Sequence, residues 1–403
     1  MITVPISIDD PLNARILVES EDKIVGFQRD PVGAIARQSG LDRAVVTERL
    51  LAMLAAGTIR RIRQTLLATN LAHGALVAWR IDPAQLNTAF DFMFQQDPFS
   101  GHVVVRSTDS ATTGHVYRLW TTLKVPEGYS LHKHCQLLER LANLTSNDAT
   151  TSKGQPKFLI LPAKRLFVLG VGHVRRKNLQ PGSKAEVPAE VLTPQIVHLT
   201  DLDWQVLVAL KGEFSVAELE PTVAVDAAGY SAEQGGFWAG RAAQAGVDLE
   251  TFCTVAESLN ARGVIGRFST FLEHVKPLAD GQRVTRFNGL FHWAVPPGRE
   301  IEAGREIGRF HIMTHAYWRE GGPEFGQVNL MGVAHGTDRD LLLAHKAALD
   351  EHLAAGGITV SYTNVFWGGR SEIKPSEISP LAYAQWCKGH GVDPEAMKDD
   401  GGV

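Results

Sequence analysis

The chain has 403 residues, 44% hydrophobic and 21% charged, with a formal net charge of −4. That length exceeds one ordinary domain, and the composition is that of a folded globular protein, which excludes general disorder. The slight negative charge gives no overall attraction to nucleic acid or to an anionic membrane. No apolar run approaches the ~20 residues of a membrane span, and the first residues lack a basic segment followed by an apolar core. A cytoplasmic protein with no membrane partner is expected. Cys135, Cys253 and Cys387 lie far apart with no CxxC pair, so no metal site is expected from them.

In "DPVGAIARQSGLDRAVVTERLLAMLAAGTIRRIRQ" (30–64), apolar residues recur at helical intervals and Ser39-Gly40 divides them into two helices. Asp42 suits the cap of the second. With the short strand "TIRRIRQ" after Gly57, this predicts a winged helix-turn-helix. Strand "GALVAWRI", helix "PAQLNTAFDFMFQQ", strands "HVVVRS" and "HVYRLWTTLKV", helix "SLHKHCQLLERLANL" and one long or interrupted strand "KFLILPAKRLFVLGVGH" follow. The order β-α-β-β-α-β predicts a ferredoxin-like sandwich.

Residues 175–198 carry prolines, charge and no sustained period, and read as a linker. The pattern then begins again. "TFCTVAESLNARGVIGRFSTFLEH" resembles "AVVTERLLAMLAAGTIRRIRQTLLATN", and "RFNGLFHWAVP", "REIEAGREIGR", "FHIMTHAYWRE", "GQVNLMGVAHG", "DRDLLLAHKAALDEHLAAG" and "ITVSYTNVFWGG" repeat the six-element order. The chain therefore reads as an α+β tandem duplication. The expected domains are a winged helix-turn-helix (1–68), a ferredoxin-like domain (69–174), a linker (175–197), a degenerate helix-turn-helix with a Gly/Ala-rich insert at 225–248 (198–280), a second ferredoxin-like domain (281–370) and a polar C-terminal tail (371–403), with a short helix expected around "PLAYAQW" and a "KDDGGV" end expected to be disordered. The second recognition helix would carry little positive charge, which argues against paired DNA readers and against DNA as a partner.

A winged helix-turn-helix joined to a ferredoxin-like domain is the plan of the Lrp/AsnC regulators. Within that superfamily the chain resembles the siroheme decarboxylases of heme biosynthesis, whose two related subunits also occur fused. The likeness rests on "GTIRRI" (57–62), "LPAKRLFVL" (161–169), His102 with Arg106 four positions on, and "HVYRLW" (115–120), which is similar to that family's His-x-Tyr-Asn-Leu-Trp signature. It covers residues 12–173 closely and 198–367 loosely. Arg118 departs from the family's asparagine, and the loop "STDSATTG" is longer than expected. The second half keeps His315, Arg319 and Asn329-Leu330, but Gly326 and Val328 stand in the places of His115 and Tyr117.

The resemblance implies a siroheme-like tetrapyrrole, bound as ligand, that loses carbon dioxide from acetate arms; the two copies would form an internal pseudo-dimer. The chemistry needs an oriented carboxylate, exclusion of water, and a proton delivered to carbon. No external cofactor is required, because the conjugated ring can hold the electrons. Arginine's planar fork suits the first task, with Arg106 the first choice and Arg319 its counterpart; Arg118, Arg165 and His315 are further substrate-binding candidates. Histidine and tyrosine suit the proton, which nominates His102, His115 and Tyr117 as catalytic.

Counting by two puts His102, Val104 and Arg106 on one face, and His115, Tyr117 and Leu119 on one face. If these faces coincide, the four polar groups converge; the register across the turn decides this and periodicity leaves it open. A solvent-facing sheet surface would account for the same residues. His311, His335, His345 and His352 are scattered, and any could ligate heme iron. Trp318, Phe366 and Trp367 could wall an apolar pocket. Arg60, Arg61 and Arg63 could grip phosphates as a wing. The alternatives to a decarboxylase are a heme-binding or heme-sensing protein that lacks the chemistry and a DNA-binding regulator.

Overall fold

The computed structural model describes residues 4–143, 156–170, 172–219, 236–273, 277–278, 281 and 283–399. In chain order the elements are α1 (Pro11–Ser20), β1 (Ile24–Val25), α2 (Pro31–Ser39), α3 (Arg43–Ala55), β2 (Ile59–Leu66), β3 (Ala72–Arg80), α4 (Leu86–Gln95), β4 (Ser100–Ser107), β5 (Tyr117–Pro126), α5 (Leu131–Leu141), β6 (Phe158–Pro162) and β7 (Arg165–Leu169). Then come α6 (Asp201–Leu210), α7 (Val216–Leu219), α8 (Ala239–Gln244), α9 (Leu249–Ala261), β8 (Ile265–Leu272), β9 (Phe287–Ala294), α10 (Glu300–Gly308), β10 (Met313–Trp318), β11 (Leu330–Gly336), α11 (Arg339–Ala355), β12 (Tyr362–Ile373) and α12 (Pro380–Gly389). The chain is α+β and divides into two units, one of residues 1–67, 170–178 and 197–286, the other of residues 68–169, 179–196 and 287–403.

The first unit contains a repeated local device. Gly40 ends α2 in the left-handed conformation and Asp42 caps α3; Gly246 follows α8 with φ 68° and Asp248 caps α9. In each case a side-chain oxygen accepts an orphan backbone N–H of the new helix, while glycine supplies the positive φ that turns the chain. Residues 236–248, expected to be part of an insert, thus form a helix and its turn; the insert's residues 225–235 lie outside the described residues. α1, capped by Asp10 with Pro11 in its first turn, is a helix that periodicity did not predict.

Strands β2 and β8 pair antiparallel in a three-stranded sheet of order β1-β8-β2. The arginines of the expected wing are therefore on a paired strand, and Arg61 sits 3.0 Å from Glu213. On α3, Arg43 pairs with Asp30 and Arg49 with Asp10.

The second unit is built on a nine-stranded antiparallel sheet of order β6-β3-β5-β4-β12-β9-β11-β10-β7. The run β3-α4-β4-β5-α5-β6 and the run β9-α10-β10-β11-α11-β12 give the same relative strand order, and β4 pairs with β12 between them. The long or interrupted strand expected over 157–173 is interrupted, into β6 on one edge of the sheet and β7 on the other. Nine strands laid flat would hold those edges roughly 38 Å apart. Ala163 and Lys164 alone join them, a reach of about 11 Å at most. The sheet must curl, and the seam is held by Lys164 N–H donating to Trp318 O at 2.9 Å and by Arg319 donating to Leu161 O.

Curling gives the sheet an inner and an outer face. Ala78, Val104, Tyr117, Trp120, Leu161, Leu290, Phe325, Met331 and Phe366 fill the inner one. The outer face carries two cores, one beneath α4, α5 and α12 with Val77, Trp79, Phe90, Leu119 and Leu138, the other beneath α10 and α11 with Phe291, Trp293, Ile307 and Leu349.

The region expected to be a polar tail with a short helix at 380–386 has that helix, as α12, and is built into the fold. β12 runs on to Ile373 alongside β4, and α12 buries Tyr383 and Cys387 in the first outer core. There Tyr383 Oη lies 3.0 Å from His134 Nδ1, and His134 faces Asp97; all three side chains are fully buried. Residues 400–403 lie outside the described residues. Tyr383→Ala should open a cavity and strip His134 of a partner, costing about 3–5 kcal/mol; the denaturation midpoint measures it, and a loss under about 1 kcal/mol would mean that α12 is not part of the core.

Candidate functional site

Val103 packs into the outer core and Val104 into the inner one, so strand alternation sends His102 and Arg106 inward with Val104. His102 is half-buried, abreast of Thr122 on β5, and its Nε2 lies 2.8 Å from Ser371 Oγ on β12. Arg106 is 4% exposed. Its Nη1 donates to Asn288 Oδ1 and to the Phe366 carbonyl, each at 3.1 Å. The guanidinium crosses β12 at Gly368, its cross-strand neighbour, where a Cβ would come within 3.2 Å of Asn288.

Arg106 is in no ion pair among the described residues, and its buried Nε has no acceptor among them. Burial pushes its pKa down to about 9, still charged at neutral pH.

The counting rule fails on β5. Arg80 pairs with Tyr117 and Trp79 with Leu119, so Arg118 is an extra residue, a bulge that puts Tyr117 on the inner face and Leu119 in the outer core. Tyr117 shares Arg106's face, yet its hydroxyl donates to the Pro156 carbonyl at 3.2 Å and its ring lies 5.3 Å from that of Phe325. Burial pushes its phenol up to about 12. His115 is exposed in the turn before β5, its Nδ1 2.7 Å from Thr112 O. Arg118 donates from Nε to the Arg106 carbonyl at 2.8 Å. The described contacts bring neither His115 nor the Tyr117 hydroxyl to the Arg106 guanidinium.

On β10 the rings of His315 and Tyr317 stack at 6.1 Å, and the Arg319 guanidinium lies 4.5 Å over Tyr317. Burial pushes Arg319 down to about 10. Arg165, at the β7 edge beside Trp318, donates to the Lys164 carbonyl. Of the aromatic residues named as candidates for the wall of an apolar pocket, Phe366 is on the inner face and Trp367 in the second outer core, with Trp318 packed against that core.

Two residues not singled out from the sequence join this face. Asn288 Nδ2 lies 2.9 Å from His335 Nε2, directly across the β9–β11 pair. His292 is fully buried among Trp120, Phe325 and Phe366, and neither ring nitrogen has a hydrogen-bond partner among the described residues. The alternation of "FNGLFHWA" could have flagged both, since Asn288 and His292 share a face with Leu290. Among the described residues no group of three or more His, Cys, Asp or Glu could hold a metal ion, and no helix is long and apolar enough to cross a membrane.

The fold recurs in a solved structure. The crystal structure of siroheme decarboxylase NirDL superposes with a TM-score of 0.61 over 94% of this chain and 99% of that one, at 18% identity. The chain has the fold of that siroheme decarboxylase. A second structure of NirDL, in co-complex with an iron-uroporphyrin III analogue, matches over the same shares of both chains with a TM-score of 0.59 and 18% identity. No family model and no curated protein matches the sequence. The resemblance read from 57–62, 102–106, 115–120 and 161–169 is therefore borne out in the fold.

Burial, with the Arg106 and Lys346 charges adding to it, pushes His292 down from 6.5 to about 3. The folded chain keeps this ring neutral, whereas the unfolded chain protonates it below 6.5, so its contribution is complete above 6.5 and lost as the pH falls toward 3. Stability should fall by about 2 kcal/mol from this group between pH 7 and pH 5, and His292→Phe should flatten that slope. Denaturant titrations at the two pH values decide it; equal slopes in the two proteins would refute it.

Proposed function

We propose that the chain is a carbon-carbon lyase that removes acetate carboxyl groups from siroheme or a related tetrapyrrole. The observation that carries this reading is Arg106, a buried guanidinium fixed on one edge by Asn288 and Phe366 and without an acceptor at Nε or an ion-pair partner among the described residues. Such a cation is costly unless an anion completes it. A carboxylate on the Nε edge would make the bidentate pair that arginine favours. The fold likeness to NirDL supports a tetrapyrrole as the carrier of that carboxylate.

Arg106 orients one acetate arm. The methylene–carboxylate bond breaks, carbon dioxide leaves, and the electron pair passes into the conjugated ring. A protonated imidazole then delivers a proton to carbon, leaving a methyl group, and regains its own from water. A positioned acid contributes roughly 10²–10⁴-fold. His102 and His315 are the donors proposed here. His102 is four residues from Arg106 on one strand, about 13 Å, which suits separate arms of one macrocycle.

Arg118, Arg165 and Arg319 would hold outer carboxylates. His115, exposed, would exchange protons with water, and Tyr117 would wall the cleft. No external cofactor enters the scheme.

On the same reading each half is a winged helix-turn-helix with a ferredoxin-like sandwich, the two halves form an internal pseudo-dimer, and the protein is cytoplasmic. Arginines of α3 committed to Asp30 and Asp10, and β2 paired with β8, support ligand chemistry over DNA reading. The bonded Tyr117 hydroxyl favours a second reading, a tetrapyrrole-binding protein without turnover.

Anaerobic, reduced siroheme incubated with the protein should lose the mass of two carbon dioxide molecules. Arg106→Lys, which keeps the charge and loses the fork, should lower turnover at least about tenfold. Unchanged pigment refutes the lyase reading, and tight porphyrin binding unaffected by His115→Ala would then support the binding protein.

A further inference from the structure

A chain of hydrogen bonds runs from Arg106 on β4, over β12, through β9 and β11 to β10, and the chemistry of each partner sets its direction. A guanidinium can only donate, so the Asn288 oxygen faces Arg106 and its amide nitrogen faces His335. An amide nitrogen also only donates, so His335 Nε2 must accept and carries no proton. The proton of a neutral His335 is then on Nδ1, 3.3 Å from Thr314 Oγ1. That hydroxyl donates its own proton to the Val333 carbonyl at 2.9 Å, so both imidazoles that meet it act as donors. The second is His315, whose Nδ1 lies 3.1 Å from Thr314 Oγ1.

Consecutive side chains on a strand normally point to opposite faces. The register shift between Met313 and His315 lets Thr314 and His315 reach the same network.

We infer that Asn288, His335 and Thr314 are positioning residues that lock His315 with Nδ1 as a donor, so that Nε2 is the nitrogen that exchanges protons with the substrate. His315 thereby serves as the proton-delivering residue of the second half, where glycine and valine replace His115 and Tyr117. The relay begins at the arginine that orients the carboxylate, so loading Arg106 and aiming His315 are one hydrogen-bonded event. The use of the proton rests on the decarboxylase reading; the direction of the relay does not.

The test uses the full chain labelled with 15N in its histidines, His335 being assigned by the signals lost in His335→Gln. In the unsubstituted protein His335 should show a protonated Nδ1 and a bare Nε2. In Asn288→Asp the carboxylate can only accept, so the bare Nε2 signal should disappear as His335 becomes doubly protonated. A protonated Nε2 in the unsubstituted protein, or an unchanged pattern in Asn288→Asp, overturns the relay.

Turnover of siroheme is the second arm. His335→Gln, whose amide can accept and donate in the same directions, should keep kcat within roughly threefold, whereas His335→Leu and Thr314→Val should lower kcat roughly 10- to 100-fold with little change in KM. Equal kcat in all of these proteins overturns the positioning role. Absence of turnover in the unsubstituted protein, with the expected nitrogen pattern intact, counts against the decarboxylase reading alone and leaves the relay standing.

Discussion

Two residues, Ala163 and Lys164, connect the opposite edges of a nine-stranded sheet, and this short connection obliges the sheet to close on itself. Closure supplies an interior that neither run of six elements has alone. A single antiparallel layer with helices on one side leaves its other face to water. Once that face is curled inward, Trp120, Phe325 and Phe366 exclude solvent, and every charge left there interacts more strongly than it would in water.

The polar groups on that face divide in two. Asn288, His335, Thr314 and His315 satisfy one another across three strands, β9, β11 and β10, so ordering them leaves few donors or acceptors stranded. Arg106 and His292 are left with nitrogens that no described residue meets. Unpaired buried groups are expensive, and natural cores keep few of them. Stability alone would favour apolar replacements at these positions, and the proposed carboxylate would account for the open edge of Arg106.

Local features were legible in the sequence to a useful depth. β4, β5, α5, α10 and α11 fall where alternation and helical period put them, and Asp42 caps α3 as read. What failed was long-range. The apolar run over 157–173 reads as one long or interrupted strand, and periodicity does not reveal that it changes partners at Ala163. The bulge at Arg118 shifts the pleat by one residue, which separates Tyr117 from Leu119 despite their spacing of two. Asn288 and His335 are 47 positions apart, and only strand pairing places them opposite each other. The C-terminal segment reads as a polar tail with a short helix, yet Tyr383 and Cys387 are buried completely, because one stripe of that helix was enough to dock it.

β12 is the last strand of the second run, the partner of β4 in the first, and the route to α12, which ends in the first outer core. The chain's end thereby acts as a clasp: separating the two halves would require unzipping a strand and extracting a helix together. Two loose subunits must each remain competent to find a partner, whereas halves tied this way meet at a high effective concentration whatever their intrinsic affinity. On the proposed reading, that frees one half to shed groups the other retains, and a lopsided division of labour, with carboxylate capture on β4 and proton handling on β10, becomes affordable within a single polypeptide.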